Sequence, residues 1–175
     1  MIFVTVGNAH NPFPRLVEAA DRVAARLDEQ VIVQSGHTPY QARHATQIPF
    51  LGLEEYEGLI ARARIVVGHA GSGSVISAFR SGKPLILMPR RTCYGEHVND
   101  HQLDLAGMLA ADERVRVVHS AEELWAAIAS PPRGHRAALR AAPLVGVLQA
   151  WIDRNLGGHG PARGSRAPGA KVGNV

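Results

Sequence analysis

The segment Val66–Gln102 constrains the fold of this chain more than any other part of the sequence. In order, it predicts a short buried strand, a Gly/Ser turn, a helix, a second buried strand and a polar loop. A β-branched run such as Ile65–Val67 suits a strand that is covered on both faces. Strands that alternate with helices along the chain predict an α/β fold with a doubly wound, Rossmann-like parallel sheet.

The turn Gly68–Ser74 predicts an anion site between the first strand and the helix. Gly71 and Gly73 are expected to allow close backbone approach and positive φ, and Ser72 or Ser74 is expected to cap the helix. The free N–H groups and partial positive charge of a helix N-terminus attract anions. A Gly/Ser turn that binds no ligand is the alternative, since such turns are also found in α/β proteins for structural reasons alone.

Three motifs that use similar residues do not match this turn. A P-loop requires Lys and Ser/Thr after its last glycine, where this chain has Ser74 and Val75. The dinucleotide fingerprint requires a third small residue where Ile76 stands. The nucleophile elbow requires glycine on both outer flanks of Ser72, where Ala70 and Ser74 stand.

A polar loop follows the second strand, Leu85–Met88, after Pro89. Its polar residues are Arg90, Arg91, Thr92, Tyr94, Glu96, His97, Asn99, Asp100, His101 and Gln102. In open parallel sheets, ligands bind outside the carboxyl ends of the strands. One strand end offers backbone N–H groups and the other offers polar side chains, which together fit a phosphate attached to a hydroxyl-rich group. A nucleotide sugar has this chemistry.

Length and composition limit the classes of protein to consider. The 175 residues are enough for one domain but short of two full α/β domains. No apolar run approaches the roughly 20 residues of a membrane span, and the N-terminus is interpreted as a first strand and not as a signal peptide. The single cysteine, Cys93, excludes an internal disulfide, fits a reducing cytoplasm and is interpreted as a passive loop thiol.

The C-terminal part of the chain is basic, with seven Lys and Arg residues against one acid from Ser130 onward. This region can face anionic lipid head groups or an acidic partner surface, or it can be a solvated tail. Nucleic acid is not an expected partner, because the basic residues lack interleaved aromatic residues. We predict a final helix over His135–Leu156, so that a domain over residues 1–156 is followed by a disordered tail over 157–175.

Three motifs together resemble a known family. Residues 68–74 (Gly-His-Ala-Gly-Ser-Gly-Ser), 82–89 (Gly-Lys-Pro-Leu-Ile-Leu-Met-Pro) and 99–106 (Asn-Asp-His-Gln-Leu-Asp-Leu-Ala) resemble the C-terminal, donor-binding domain of MurG-like family 28 glycosyltransferases. The resemblance runs from about Met1 to about Leu156. The chain is similar to stand-alone subunits of split transferases, which make bacterial exopolysaccharides or dolichol-linked glycans. The resemblance implies the single donor-binding half of a GT-B glycosyltransferase.

The resemblance also implies roles for particular residues. The first turn faces the donor diphosphate, the segment from residue 50 to 53 recognises the uracil edge, the Gly/Ser turn holds phosphate and ribose, and the polar loop reads the sugar. The donor-binding residues implied are Thr5, Gly7, Asn8, Phe50, Leu51, Leu53, His69, Ala70, Gly71, Ser72, Gly73, Ser74, Asn99, His101 and Gln102. The family often has a glutamate for the ribose hydroxyls where this chain has Ser77, so a preference for uridine rests on the family alone.

Some of these side chains have a structural alternative. His10 and Glu96 are the candidate catalytic residues, although His10 can also cap the first helix. His69 either contacts ligand or is packed against the turn. Arg90 and Arg91 either neutralise phosphate or form an exposed pair. No metal site is expected, because the His97/His101 spacing beside Glu96 lacks a third ligand.

The function that the resemblance implies is inverting transfer of a hexose from a UDP-sugar to a lipid-linked saccharide acceptor in polysaccharide biosynthesis. In two-domain relatives the general base and the acceptor groove belong to the N-terminal domain. This chain is therefore expected to require a membrane-anchored, acceptor-binding glycosyltransferase subunit and to lie peripherally at the cytoplasmic face of the membrane. Trp151, Ile152 and Leu156 either dock on that subunit or pack on their own sheet. No cofactor besides the donor is expected.

Two other functions stay open. One is a non-catalytic, nucleotide-sugar-binding regulatory subunit. The other is an epimerase-like enzyme, which ranks last because epimerases of this fold are full two-domain chains.

Overall fold

The computed structural model describes residues 1–134 and residue 146, and its centre is a six-stranded, fully parallel sheet. The strands are β1 Ile2–Thr5, β2 Val31–Gln34, β3 Thr46–Ile48, β4 Ile65–Gly68, β5 Leu85–Leu87 and β6 Val115–Val117. Their order is β3-β2-β1-β4-β5-β6, with Val4 paired to Val33 on one side and to Val67 on the other. This order is that of a Rossmann-like sheet and confirms the predicted fold class.

Within the described residues there are five α-helices, of which four connect strands and the fifth follows β6. They are α1 Pro14–Ala24, α2 Leu53–Arg62, α3 Ser72–Arg80, α4 His101–Leu109 and α5 Ala121–Ala129, with a 3₁₀ helix over Thr92–Tyr94. α1 begins with a proline, which suits the first helical position because proline has no N–H. Ser120 caps α5 by accepting the N–H of Glu123.

The sheet separates two apolar clusters, because successive residues of a strand point to opposite faces. Val67 and Ile86 lie in a first cluster with residues of α1 and α5. Val66 and Leu87 lie in a second cluster with residues of α2, α3 and α4. Since both faces are covered, the central strands are apolar over most of their length.

The strand β3 was not predicted. From sequence alone, residues 35–47 are interpreted as a polar connection and Ile48–Leu51 as a short apolar segment, but residues 46–48 pair in parallel with β2. Part of the preceding connection is held by the buried carboxylate of Asp21, which accepts N–H groups from Arg43, His44 and Ala45. These contacts come from a distant helix, so they leave no periodic signal in the local sequence.

Several predictions lie outside the described residues. They are the final helix over His135–Leu156, its docking residues Trp151, Ile152 and Leu156, the tail over 157–175 and most of the basic C-terminal residues. Within the part of the chain that the structure describes, no helix combines the length and apolar character that a membrane crossing requires.

Candidate functional site

The strand order reverses between β1 and β4, and the turns that follow these two strands meet at that point. Parallel sheets bind ligands in the crevice at such a reversal. The two turns are in close contact, since a Cβ built on Gly7 would lie 2.5 Å from Cε1 of His69. Gly7 also has φ of +72°, so this position requires glycine for conformation as well as for space.

The imidazole of His69 is packed between two glycines. A Cβ on Gly71 would lie 2.2 Å from Nε2 of the ring, so this position has no room for a side chain. The expected positive φ is wrong for both glycines, because Gly71 has φ of −77° and Gly73 lies within the helix that begins at Ser72. The left-handed residue of the turn is Ala70, at 59°. Burial, with a contribution from the charge of Arg90, lowers the pKa of His69 to about 4. The ring is therefore neutral at pH 7, as suits a packed histidine.

The N-terminus of α3 opens into the crevice without a side-chain cap. The expected serine cap is wrong, because the helix begins at Ser72 and its N-cap is Gly71. The Ser74 hydroxyl is buried and donates to the Gly71 carbonyl at 3.0 Å. The first helical bond of α3 runs from the Val75 N–H to that same carbonyl. The amides of residues 72–74 can therefore serve an external acceptor, and the helix dipole favours an anion there.

The turn after β1 is held by a buried amide at the end of β2. Oε1 of Gln34 accepts the Thr5 hydroxyl at 2.7 Å and the Gly7 N–H at 3.1 Å. Nε2 of Gln34 donates to the carbonyls of Gly7 and Pro49, both at 3.1 Å. Thr5 is fully buried, so it supports the turn from below. The sequence reasoning missed Gln34, although a polar residue that ends the apolar run Val31–Val33 was an available signal.

Arg90 holds the other side of the same turn. Its side chain has no exposed surface, and its guanidinium donates to the carbonyls of Asn11 at 2.7 Å, Val6 at 2.9 Å and Glu96 at 2.9 Å. The guanidinium carbon lies 4.8 Å from the ring centroid of Phe13. Burial lowers the pKa of Arg90 to about 10, so it stays charged at pH 7. The exposed alternative is therefore wrong for Arg90, and neutralisation of a phosphate by its charge stays a prediction.

Glu96 fastens the polar loop to α1. It is 3% exposed, and its carboxylate accepts two bonds from Arg15, at 2.9 and 2.8 Å, and one from the Arg91 N–H at 2.9 Å. Arg15 also donates to the Pro89 carbonyl at 2.8 Å. This geometry gives Glu96 a role in holding the loop, and its catalytic role stays a prediction.

The remaining loop residues lie where β5 leads into α4. Oε1 of Gln102 accepts the Arg90 N–H at 3.2 Å, which orients its NH₂ group as the end that can donate to a ligand. Oδ1 of Asn99 accepts the His101 N–H at 3.3 Å, at the first residue of α4. β5 pairs with β4, so this loop is adjacent to the turn that carries His69.

The opposite side of the crevice carries exposed apolar and aromatic side chains. Phe50 is 49% exposed and Leu53 is 74% exposed, while Leu51 between them is half-buried. Rings from three loops form a row, with centroids 4.9 Å apart between His10 and His37 and again between His37 and Phe50. His10 and Asn8 are exposed. Capping of α1 by His10 is wrong, because its N-cap is Phe13 without a side-chain cap.

The structure therefore brings together the turns after β1 and β4 and the loop after β5, and it places the segment 50–53 after β3. Residues 1–134 hold no cluster of three or more His, Cys, Asp or Glu side chains suited to a metal ion.

Tyr56 is a second residue near the site that the sequence did not indicate. Burial raises the pKa of its hydroxyl, which meets the side chains of Thr5 and Ser74.

Comparisons with known proteins agree with this geometry. The family described as glycosyltransferase family 28 C-terminal domain matches residues 1–129. The chain is 38% identical over 72 residues to the UDP-N-acetylglucosamine transferase subunit ALG13 of Cryptococcus neoformans var. neoformans serotype D, which covers 40% of this chain and 34% of that protein. It thus matches about a third of the length of this curated relative.

Two solved structures share the fold. The glycotransferase of kitacinnamycin superposes with a TM-score of 0.59 at 18% identity, covering 87% of this chain and 42% of that one. The solution structure of ALG13 superposes with a TM-score of 0.51 at 18% identity, covering 74% of this chain and 83% of that one. At this level of identity the two structures support the fold assignment alone.

Proposed function

Because this chain belongs to the glycosyltransferase family 28 C-terminal domain family, we propose that it binds the UDP-sugar donor of a glycosyl transfer reaction. The observation that carries the proposal is the uncapped N-terminus of α3, which opens at the strand-order reversal opposite Gly7. A diphosphate there accepts hydrogen bonds from the amides of residues 72–74. The relative named as a UDP-N-acetylglucosamine transferase subunit supports the choice of nucleotide.

The other parts of the donor follow from the positions of the neighbouring loops. The base lies along the segment Phe50–Leu53, where exposed apolar surface adjoins backbone at the start of α2. The sugar lies beside Asn99, His101 and Gln102, at the end of β5. No cofactor besides the donor is part of this proposal.

The proposed reaction is an inverting displacement at the anomeric carbon of a hexose. An acceptor hydroxyl forms the new C–O bond as the bond to the diphosphate breaks, and the diphosphate leaves with the electron pair. A general base takes the hydroxyl proton. The α3 amides and helix dipole stabilise the negative charge that develops on the leaving group. His10, exposed on the turn after β1, is the side chain proposed to contact the sugar or the leaving phosphate.

We further propose a lipid-linked saccharide acceptor in polysaccharide biosynthesis and a membrane-anchored partner subunit that completes the cleft. The Cryptococcus relative is named as a subunit. In the described part of the chain, the large apolar side chains that are exposed are Phe50, Leu53, Tyr94 and Val98, all in loops or a first helical turn after a strand. Co-purification of the tagged chain with a membrane-anchored subunit tests this point, and full transferase activity from the isolated chain contradicts it.

Donor binding is tested by calorimetry and thermal unfolding with UDP and UDP-sugars. Ligand at a hundredfold excess over its Kd is expected to stabilise the protein by about 2.7 kcal/mol. The variant Ser72→Glu places a negative charge among the α3 amides and is expected to weaken UDP binding about tenfold or more. It should not destabilise the helix, because an acid is favourable at a helix N-terminus.

The matched control is Ser72→Gln, which has the same size without the charge and is expected to bind UDP within about threefold of the wild type. If the wild type gives no binding heat with UDP or any UDP-sugar, the proposed function is wrong. If the two Ser72 variants weaken binding equally, the α3 amides are not the diphosphate site.

A further inference from the structure

Gln34 is a buried polar residue at the end of an otherwise apolar strand. It is 2% exposed, and its amide group makes four hydrogen bonds, two through Oε1 and two through Nε2. These saturate the donors and acceptors of a primary amide. Because an unsatisfied buried amide is costly, the geometry of the groups around Gln34 is strictly defined.

The partners of this amide belong to two different loops of the donor site. One loop is the turn after β1, where the same amide bonds both the N–H and the carbonyl of Gly7. The other loop begins at Pro49, whose carbonyl accepts from Nε2 of Gln34 and from the Gly36 N–H at 2.8 Å. Pro49 immediately precedes Phe50. One side chain therefore fixes the backbone of both loops at once.

We infer that Gln34 is a positioning residue that couples the grip on the donor diphosphate to recognition of the nucleoside base. The inference rests on the proposed function, which places the diphosphate at the α3 N-terminus opposite Gly7 and the base along Phe50–Leu53. Gln34 acts through the backbone and not by touching the donor, because its side chain is buried beneath both loops. Loss of the amide frees Gly7 and Pro49 to move independently, so that a ligand spanning both loops must order them on binding.

The first test replaces Gln34 by methionine, which has a similar volume and no amide. UDP binding to Gln34→Met is expected to weaken roughly tenfold. A free-energy loss of this size corresponds to about one or two hydrogen bonds that no longer order the loops. Calorimetry with UDP gives the affinity, and urea denaturation gives the stability of the same sample. Binding is read only from samples that are folded at the temperature of the titration.

A matched control is available in the neighbouring strand. Gln47 also bridges two backbone groups, donating to the Tyr40 carbonyl at 2.8 Å and accepting the Ala42 N–H at 2.8 Å, and it donates to the Ser35 hydroxyl at 3.0 Å. It therefore holds the connection between β2 and β3. Gln47→Met is expected to lower the stability in a similar way while changing the UDP affinity less than about threefold.

A second variant distinguishes positioning from general destabilisation. Gln34→Glu retains an oxygen that accepts from Thr5 and Gly7, but its carboxylate faces the Gly7 and Pro49 carbonyls. Burial and these carbonyls raise the pKa of such a glutamate, and its protonated form donates again to one of them. The UDP affinity of Gln34→Glu, relative to the wild type at each pH, is therefore expected to recover as pH falls from 8 to 5.

The outcomes separate the two proposals. If the wild type binds UDP and Gln34→Met binds it equally well, or if Gln34→Glu shows no recovery at low pH, the inference is overturned and donor binding stands. If the wild type binds no UDP, the proposed function fails and the inference fails with it. Should Gln34→Met not fold, the pH series of Gln34→Glu decides the question.

Discussion

Two glycines make room for one imidazole at the strand-order reversal, and this packing is open to a direct test. In Gly71→Ala the new methyl group would lie 2.2 Å from Nε2 of His69, so the ring must move from its position between Gly7 and Gly71. We expect a loss of stability of roughly 1–3 kcal/mol, as for other overpacked sites. Urea denaturation measures this loss.

Gly73→Ala is the matched control for that variant. Gly73 lies in the first turn of α3, and a Cβ there would have no neighbour within 4 Å. Alanine is expected to leave the stability unchanged or raise it by up to about 1 kcal/mol, because it has the higher helix propensity. Equal destabilisation by the two substitutions would contradict the packing of His69 between Gly7 and Gly71.

The lowered pKa of His69 predicts a defined pH dependence of stability. The folded protein keeps this ring neutral down to about pH 4, whereas an unfolded histidine binds a proton below about 6.5. Between these values the unfolded state binds more protons, so the free energy of unfolding falls as pH falls, by about 1.4 kcal/mol per pH unit. From pH 6.5 to 4.5 the expected loss from this one residue is about 2–3 kcal/mol.

His69→Gln isolates that contribution, because it removes the titrating group. The free energy of unfolding of each protein is measured by urea denaturation from pH 7 to 4.5. It is expected to rise more steeply with pH in the wild type than in His69→Gln. Glu29 titrates in a lower window, since its bond to Arg64 lowers its pKa to about 2 and its contribution is lost only below its unfolded pKa near 4.5. Identical slopes for the two proteins between pH 6.5 and 4.5 would show that His69 is not buried in its neutral form.

At the scale of elements, one ion pair joins α1 to the loop between β5 and α4. Arg15→Met leaves the carboxylate of Glu96, which is 3% exposed, without its cation. Removing one partner of a buried pair is strongly destabilising. Because Arg15 itself is 20% exposed, we expect a loss of about 2–3 kcal/mol by urea denaturation.

The comparison for this variant is Arg64→Met, which breaks another bidentate pair, with Glu29. Arg64 is 46% exposed and Glu29 is 22% exposed, so water can solvate the carboxylate that remains. The expected cost is at most about 1 kcal/mol. Equal costs for the two substitutions would mean that the Arg15–Glu96 pair does not hold the loop.

The sequence predicted the elements whose pattern is local. β1, β4 and β5 have apolar runs, and the helices have apolar faces, because each of them packs against a core along its whole length. The strand β3 has a single apolar residue, Ile48, and is a strand because it pairs with β2 at the end of the sheet. Pairing of this kind depends on the partner strand and not on the segment itself.

The candidate site likewise has features that the sequence predicted and features that it did not. The glycines and the N-terminus of α3 were predictable because backbone geometry imposes glycine and serine on a short segment. The roles of Gln34 and Arg90 were not, because most of their partners lie 15 to 84 residues away in the chain, and only the Glu96 carbonyl is near Arg90 in sequence. From sequence alone, Arg90 is interpreted as a cation in a polar loop. In the structure its guanidinium donates to the carbonyls of Val6, Asn11 and Glu96.

At the scale of the whole molecule, the central strands belong to two apolar clusters at once. Ile86 points to the cluster with α1 and α5, and Leu87 points to the cluster with α2, α3 and α4. Neither cluster can lose its packing without releasing side chains of the same strands, so the described domain is expected to unfold as one cooperative unit. The proposed site depends on this cooperative packing, because its loops follow strands whose side chains pack in both clusters.

Leu87→Ala tests this cooperativity, with Trp125 as the probe. Trp125 packs against the cluster on the opposite face of the sheet from Leu87, and Trp151→Phe leaves it as the single tryptophan. Loss of a fully buried leucine is expected to cost about 2–5 kcal/mol. In a cooperative unit, the urea midpoint from Trp125 fluorescence shifts as far as the midpoint from circular dichroism. Ile86→Ala, on the Trp125 face, is the control, and its two midpoints are also expected to shift equally. If the Trp125 fluorescence midpoint of Leu87→Ala equals that of the unsubstituted protein, the two clusters unfold independently.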